Sequence, residues 1–285
     1  MPINDSFLRT KDSSGTIQKF PLLSIRKYVY CVHFRDAEFS AHGLCRIVGR
    51  GLQSKKERVG MNSDLIWRII IWAVPIVFSI VLHEVAHGWM AYRLGDPTAK
   101  NLGRLTLNPL PHIDLMGTII LPLVMLFLGG PVFGWAKPVP FNPHNFHRHI
   151  DIRNGTMWVA LAGPGSNLAL AFAFSFVLVL VNKFVPSSLA FVYAPLSLLA
   201  QAVIYLNLFL AFLNLIPIPP LDGSKVIMRF LTEEYYNLYL RLERYGMIIL
   251  IILLVSGGLS YLVLGPVDFF YRAFLWIPRF LFGEL

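Results

Sequence analysis

The sequence predicts an all-α polytopic membrane protein, on three observations. The chain of 285 residues is 55% hydrophobic and only 14% charged, against roughly 25% charged in an ordinary soluble domain. Four stretches, 65–94, 157–181, 198–216 and 245–264, are apolar over the roughly 20 residues that a bilayer-spanning helix requires. Most Lys and Arg residues flank these stretches, the placement expected of loops held on the cytoplasmic side.

Residues 1–60 stand apart. They hold 11 Lys and Arg against 5 Asp and Glu, a net charge of +6, whereas 61–285 hold 14 against 11, a net of +3. They show no sustained helical or strand period and no apolar run of signal-peptide length. Lys56-Glu57 can be encoded by AAGGAG, a purine-rich ribosome-binding sequence, three codons ahead of Met61. The expectation is a translated leader ahead of a functional chain that starts at Met61; the alternative is a disordered basic tail. Both cysteines, Cys31 and Cys45, lie in this part, which excludes a disulfide framework or a Cys-based metal site from the membrane part. A basic chain invites a nucleic-acid reading. The flanking placement of the charges assigns them to the lipid bilayer instead, and no nucleic acid is expected.

The first apolar stretch carries His83-Glu84-Val85-Ala86-His87. Helical residues four apart share a face about one turn apart. His83 and His87 can therefore turn imidazole nitrogens toward one tetrahedral Zn²⁺, with Glu84 beside them to hold a water. This is the mechanical content of H-E-x-x-H, two zinc ligands and the general base of a metalloprotease. Two imidazoles and a carboxylate are costly within a span, so they face the protein interior and mark function.

A catalytic zinc takes three protein ligands and a water. The favoured third ligand is Asp222, in Asn214-Leu215-Ile216-Pro217-Ile218-Pro219-Pro220-Leu221-Asp222-Gly223. These prolines cannot continue the helix of 198–216, and unwound backbone at a membrane is tolerated where it lines a polar cavity. The alternative is Glu233, which forms an E-x-x-x-N pattern with Asn237 on 231–244, a stretch that reads as a charged surface helix.

A fifth stretch, 115–135, is long enough to span but contains Pro122, Gly129, Gly130 and Pro131. The basic loops after the first stretch and after Asp222 both read as cytoplasmic. An even number of crossings must separate them, and 157–181 with 198–216 supplies two. Stretch 115–135 is therefore expected to re-enter or insert briefly, returning through the basic segment 137–153. His144, His147 and His149 there read as a loop facing lipid headgroups and not as a second metal site. Gly163 and Asn167 lie one turn apart in 157–181, where small residues allow close helix contact and Asn167 can bond to a neighbouring helix. The segment 269–282, with Arg272, Trp276 and Arg279, reads as an interfacial amphipathic tail.

The motifs resemble those of the site-2 protease family of intramembrane zinc metalloproteases over roughly 80–281. His83-Glu84-x-x-His87, Gly163-Pro164-Gly165-Ser166-Asn167 and Asn214…Leu221-Asp222-Gly223 carry the likeness. Gly103-Arg104-Leu105-Thr106-Leu107-Asn108-Pro109 and the segment 134–143 resemble a compact bacterial subgroup without a PDZ domain. Two departures stand out: there is no room for a PDZ or other regulatory domain, and the family's first transmembrane helix, ahead of the zinc helix, is missing.

The resemblance implies a three-helix catalytic core with one zinc held by His83, His87 and Asp222. It also implies Glu84 as catalytic base and Asn214 at the substrate or oxyanion. Around the core (about 65–224) the expected fold adds a surface helix at 225–244, a spanning helix at 245–264, a tail at 266–285 and small β elements near the site. Among the latter, β-prone 104–108 is a candidate edge strand for an unwound substrate. The implied substrates are single-pass membrane proteins of a bacterial cytoplasmic membrane, cut on the cytoplasmic side; homo-oligomerisation is left open.

Overall fold

A computed structural model of the protein describes residues 7–11, 17–21, 63–127, 134–186 and 189–283. The chain divides into two units at Asn62 and Ser63. In the first, β1 (Phe7–Lys11) pairs antiparallel with β2 (Ile17–Pro21), Leu8 opposite Phe20 and Thr10 opposite Gln18. The sequence shows no sustained strand period there; five-residue strands are too short for alternation to declare itself. Cys31, Cys45 and Met61 lie outside the described residues.

The second unit is helical. Helix α1 (Ser63–Arg93) contains the first span, 73–93, and α2 (Thr98–Asn101) is a single turn after it. A π-helix at Leu115–Ile120 runs into α3 (Leu121–Phe127). Then come α4 (Ile152–Phe184) and α5 (Ala190–Asn214), both long and apolar enough to cross a membrane. They are followed by α6 (Asp222–Met228), α7 (Glu233–Ser256) and α8 (Gly258–Phe282). Helices α1, α4 and α5 pack against one another and form the centre of the unit. Their outward faces are apolar and exposed, at Val74, Val77, Phe78, Trp158, Val177 and Phe191 among others. In a multi-pass membrane protein those faces meet lipid, because helices satisfy their own backbone groups.

The described ends of the stretch 115–135 lie side by side. The π-helix and α3 span 6 and 7 residues, about 20 Å at a helical rise, against a hydrocarbon core of about 30 Å. The backbone returns to its own start: Trp135 N–H donates to Gly117 O at 3.1 Å, and Thr118 Oγ1 donates to Trp135 O at 2.8 Å. Gly129, Gly130 and Pro131, between these ends, lie outside the described residues.

Two expectations are corrected. The segment 104–108 is not a strand, and no strand occurs among the described residues of 63–283. Local polar bonds win over extension there: Asn108 N–H donates to Thr106 Oγ1, Leu110 N–H to Asn108 Oδ1, and His112 Nε2 to Thr106 O. The second concerns the C-terminal part. The expected continuous helix over 245–264 is broken: it stops at Gly257, in a left-handed conformation (φ 78°), and α8 leaves at 77° to the preceding helix, the two together long and apolar enough for one bent span. The turn is written in Ser256-Gly257-Gly258, since glycine ends helices without a Cβ penalty. Helix α8 packs on α4 and α5 and buries Leu259, Val263, Val267 and Leu275 in the main apolar cluster, so its repeat of four serves the core.

The end of α1 is tied to the loop before α4 by one carboxylate. Asp96 is fully buried and accepts from Thr98 N–H, Thr98 Oγ1, Asn142 N–H and Asn145 Nδ2. Burial alone would raise its pKa; the bonds from Thr98, Asn145 and Asn142 hold it below the usual carboxylate value. Its contribution to stability is therefore present above the unfolded pKa of about 4 and is lost as pH falls through the lower folded value. Asp96→Ala is expected to cost about 2–3 kcal/mol at neutral pH. Thermal unfolding in detergent checks this, and the gap to wild type should narrow below about pH 4.

Candidate metal centre

The centre forms where α1, α4 and the start of α6 meet. His83 and His87, one turn apart on α1, both turn inward and are 7% and 9% exposed; Asp222, the first residue of α6, is 8% exposed. Their free atoms converge. His83 Nε2 and His87 Nε2 are 3.0 Å apart, and each lies 3.1 Å from Asp222 Oδ2. Among the described residues this is the group of His, Cys, Asp or Glu that can hold a metal ion.

The donor chemistry fits a cation. His87 Nδ1 donates to Val159 O at 2.6 Å on α4, a partner that only accepts. A neutral His87 therefore points the lone pair of Nε2 at His83 Nε2 and at a carboxylate oxygen. As a carboxylate, Asp222 brings only acceptor oxygens to the same space. Converging acceptors of this kind want positive charge between them.

Gly163 keeps that space open. A Cβ at this position of α4 would stand 2.6 Å from His83 Nε2 and closer still to His87 Nε2. The sequence marks Gly163 for helix contact; the structure places it directly against the ligand atoms. Asn167, one turn on, reaches His83 Nδ1 with Oδ1 at 2.5 Å and donates from Nδ2 to Asn207 Oδ1 on α5 at 2.7 Å. Asp222 is set in place by Gly223, where a Cβ would meet the Ile216 carbonyl at 2.5 Å and that of Leu215 as well. The first turn of α6 thus lies against the carbonyls that end α5.

Glu84 sits beside the ligands in a cavity of about 390 Å³ that also meets His83, His87, Asn214, Asp222 and Lys225. Its Oε2 accepts from Val139 N–H at 2.8 Å. Arg104 holds that loop in place, donating from Nη2 to Lys137 O at 2.7 Å. Asn214 donates from Nδ2 to Leu210 O at 3.0 Å. An amide nitrogen carries two hydrogens, so one further donor remains on it.

Glu233 lies elsewhere. Its side chain is 81% exposed and pairs with Arg153 at 2.7 Å, joining the starts of α7 and α4. The alternative third ligand is therefore taken up by a surface ion pair. His147 and His149 stack on each other at 5.7 Å and join no metal-ligand group among the described residues.

Comparison with known proteins agrees with this architecture. The family model described as "Peptidase family M50" matches residues 191–257. A Bacillus subtilis protein, "Putative zinc metalloprotease YwhC", is 39% identical over 190 residues, covering 67% of this chain and 82% of its own length. The chain belongs to peptidase family M50. A second relative, "Putative zinc metalloprotease MJ0611" of Methanocaldococcus jannaschii, is 46% identical over 183 residues, 61% of this chain and 84% of the relative. "Putative zinc metalloprotease Rip2" of Mycolicibacterium smegmatis is 30% identical over 184 residues, 65% of this chain and 66% of the relative. No solved structure gives a significant match. As an M50, or site-2 protease, family member with several spanning helices, the protein is a multi-pass membrane zinc metalloprotease with one zinc per chain.

Sequence reasoning missed Val139, Asn207 and Ser79. Asn207 and Ser79 were detectable as single polar residues inside otherwise apolar spans. Nothing in the residue type of Val139 announces a backbone donor.

Proposed function

We propose that the protein hydrolyses peptide bonds in or near the transmembrane segments of single-pass membrane proteins, in regulated proteolysis or in clearing membrane remnants. The observation that carries this is the position of the metal-binding group. His83 lies ten residues before Arg93 at the end of the span 73–93, about 15 Å along the helix, and it shares one cavity with Glu84. A soluble substrate has no reason to approach that depth. Zinc, when bound by His83, His87 and Asp222, polarises the scissile carbonyl and acidifies the attacking water.

The chain's own residues do the rest. Glu84 takes the proton of the attacking water and returns it to the leaving amine. Its hydrogen bond from Val139 N–H holds the carboxylate at the ligands' side of the cavity. The second amide hydrogen of Asn214 donates to the oxyanion, a contribution of about 3 kcal/mol for such a donor. The cavity walls of Ile80, Leu210, Leu213 and Met247 suit an apolar, locally unwound substrate. The enzyme works in a bacterial cytoplasmic membrane with the site reached from the cytoplasmic side, the side that the positive-inside rule gives to Arg93, Lys100 and Arg104 after the first span and to Lys225, Arg229, Arg241 and Arg244 after Asp222.

The test is purified protein in liposomes with a single-span substrate and mass spectrometry of the fragments. Cleavage within the apolar segment is expected; cuts confined to the soluble part overturn the reading. The ligand assignment has its own check. Asp222→Ala is expected to lose the zinc and Glu233→Ala to keep it, read as metal content of the purified variants.

A further inference from the structure

The metal-binding face of His83 depends on which ring nitrogen carries its proton, and a chain of buried amides leads away from that ring. His83 Nδ1 meets Asn167 Oδ1 at 2.5 Å, Asn167 Nδ2 meets Asn207 Oδ1 at 2.7 Å, and Asn207 Nδ2 meets both Ser79 Oγ and Val203 O at 2.8 Å. Ser79 and Asn207 are 0% exposed and Asn167 is 1% exposed. The chain joins α1, α4 and α5, and every link lies away from water.

One link has a polarity that cannot reverse. The Val203 carbonyl only accepts, so the Asn207 atom facing it must be the amide nitrogen. Asn207 then shows its oxygen to Asn167 and requires a donor there. Asn167 answers with its nitrogen, which turns its own oxygen to His83. That oxygen also only accepts, so Nδ1 of His83 carries the hydrogen and Nε2 keeps a lone pair. Nε2 is the atom that faces His87 Nε2 and Asp222 Oδ2. Turning the Asn207 amide over would set its oxygen against the Val203 oxygen and leave a buried acceptor without a donor, at a cost of about 1–3 kcal/mol. The Ser79 hydroxyl can donate or accept, so it packs the end of the chain without setting its direction.

We propose that Asn207 is a positioning residue for the metal: anchored to the Val203 carbonyl one turn back on α5, it sets the Asn167 amide and through it the His83 tautomer that binds zinc. The proposal rests on the reading of His83 as a zinc ligand. The anchor is part of the helix itself, since 203 and 207 are four apart on α5, so the tautomer is set before metal or substrate arrives. Partners of this kind that orient a ligating histidine typically change metal affinity about 10- to 100-fold when removed.

Zinc affinity of the purified full-length protein, measured by competition with a chromogenic chelator, tests it. Asn207→Leu is expected to weaken zinc binding about 10-fold. Adding Asn167→Asp to that variant is expected to restore most of the loss. A carboxylate presents an acceptor to His83 whichever way it turns, and so no longer needs Asn207. Should Asn207→Leu not give a monodisperse protein, Asn207→Ala with and without Asn167→Asp carries the same expectations. Wild-type affinity in the Asn207 variant, or no recovery on adding Asn167→Asp, overturns the proposal, because a packing role would not be rescued by that change. His83→Ala separates the underlying reading: if it keeps wild-type zinc affinity, the ligand assignment fails. If it loses zinc while Asn207→Leu does not, the positioning role alone fails.

Discussion

Replacing Glu84 with Gln is expected to lower proteolysis by about 10²- to 10⁴-fold, the usual worth of a positioned general base, while zinc stays bound at one per chain. The two effects separate because Glu84 is not among the converging ligand atoms of His83, His87 and Asp222. Gln also keeps an oxygen that accepts from Val139 N–H, so the loop contact at 2.8 Å survives the change. What is lost is the ability to take a proton from water and return it to the amine. Quantified cleavage of a liposome-reconstituted single-span substrate, beside metal analysis of the same preparation, checks both halves. A Glu84→Gln protein cleaving at the wild-type rate would sink the mechanism.

A methyl group at position 163 is expected to damage the site by another route. The Cβ of Gly163→Ala would stand 2.6 Å from His83 Nε2 and nearer to His87 Nε2, in the space between the ligand atoms. Overpacking a tight site typically costs about 1–3 kcal/mol, which is roughly a 5- to 150-fold loss of zinc affinity. Gly165 two residues along has nothing within 4 Å of a built Cβ, so Gly165→Ala serves as the control and should bind zinc normally. Equal zinc affinity in the two variants would contradict the placement of α4 against the site.

The parts of this site that were legible in the sequence are those carried by side-chain type and helical spacing. His83, Glu84 and His87 declare a shared face because the period of a helix is fixed. Asp222 declares itself because a carboxylate follows a proline-broken apolar run. The spanning helices follow from length and hydropathy, whereas the three-helix core was implied only by the resemblance of the motifs. What was not legible depends on long-range contact or on backbone atoms. Val159 holds His87 through its carbonyl and Val139 holds Glu84 through its N–H; any residue but proline offers the latter group. Asn207 and Ser79 are 128 residues apart in sequence and meet only after three helices have packed. The 104–108 segment misled for a related reason. Its β-prone composition was outweighed by turns that Thr106 and Asn108 make with their own neighbours. Gly257 was visible, but within an apolar run of spanning length its stop signal was overridden by hydropathy in the reading and not in the fold.

Zinc K-edge absorption spectroscopy on the purified protein tests the central claim most directly. With His83, His87 and Asp222 as ligands, the first shell contains two imidazole nitrogens and oxygen from a carboxylate and solvent, with no sulfur, and Asp222→Ala loses this signal together with the metal. An unchanged zinc shell at full occupancy in Asp222→Ala would contradict it.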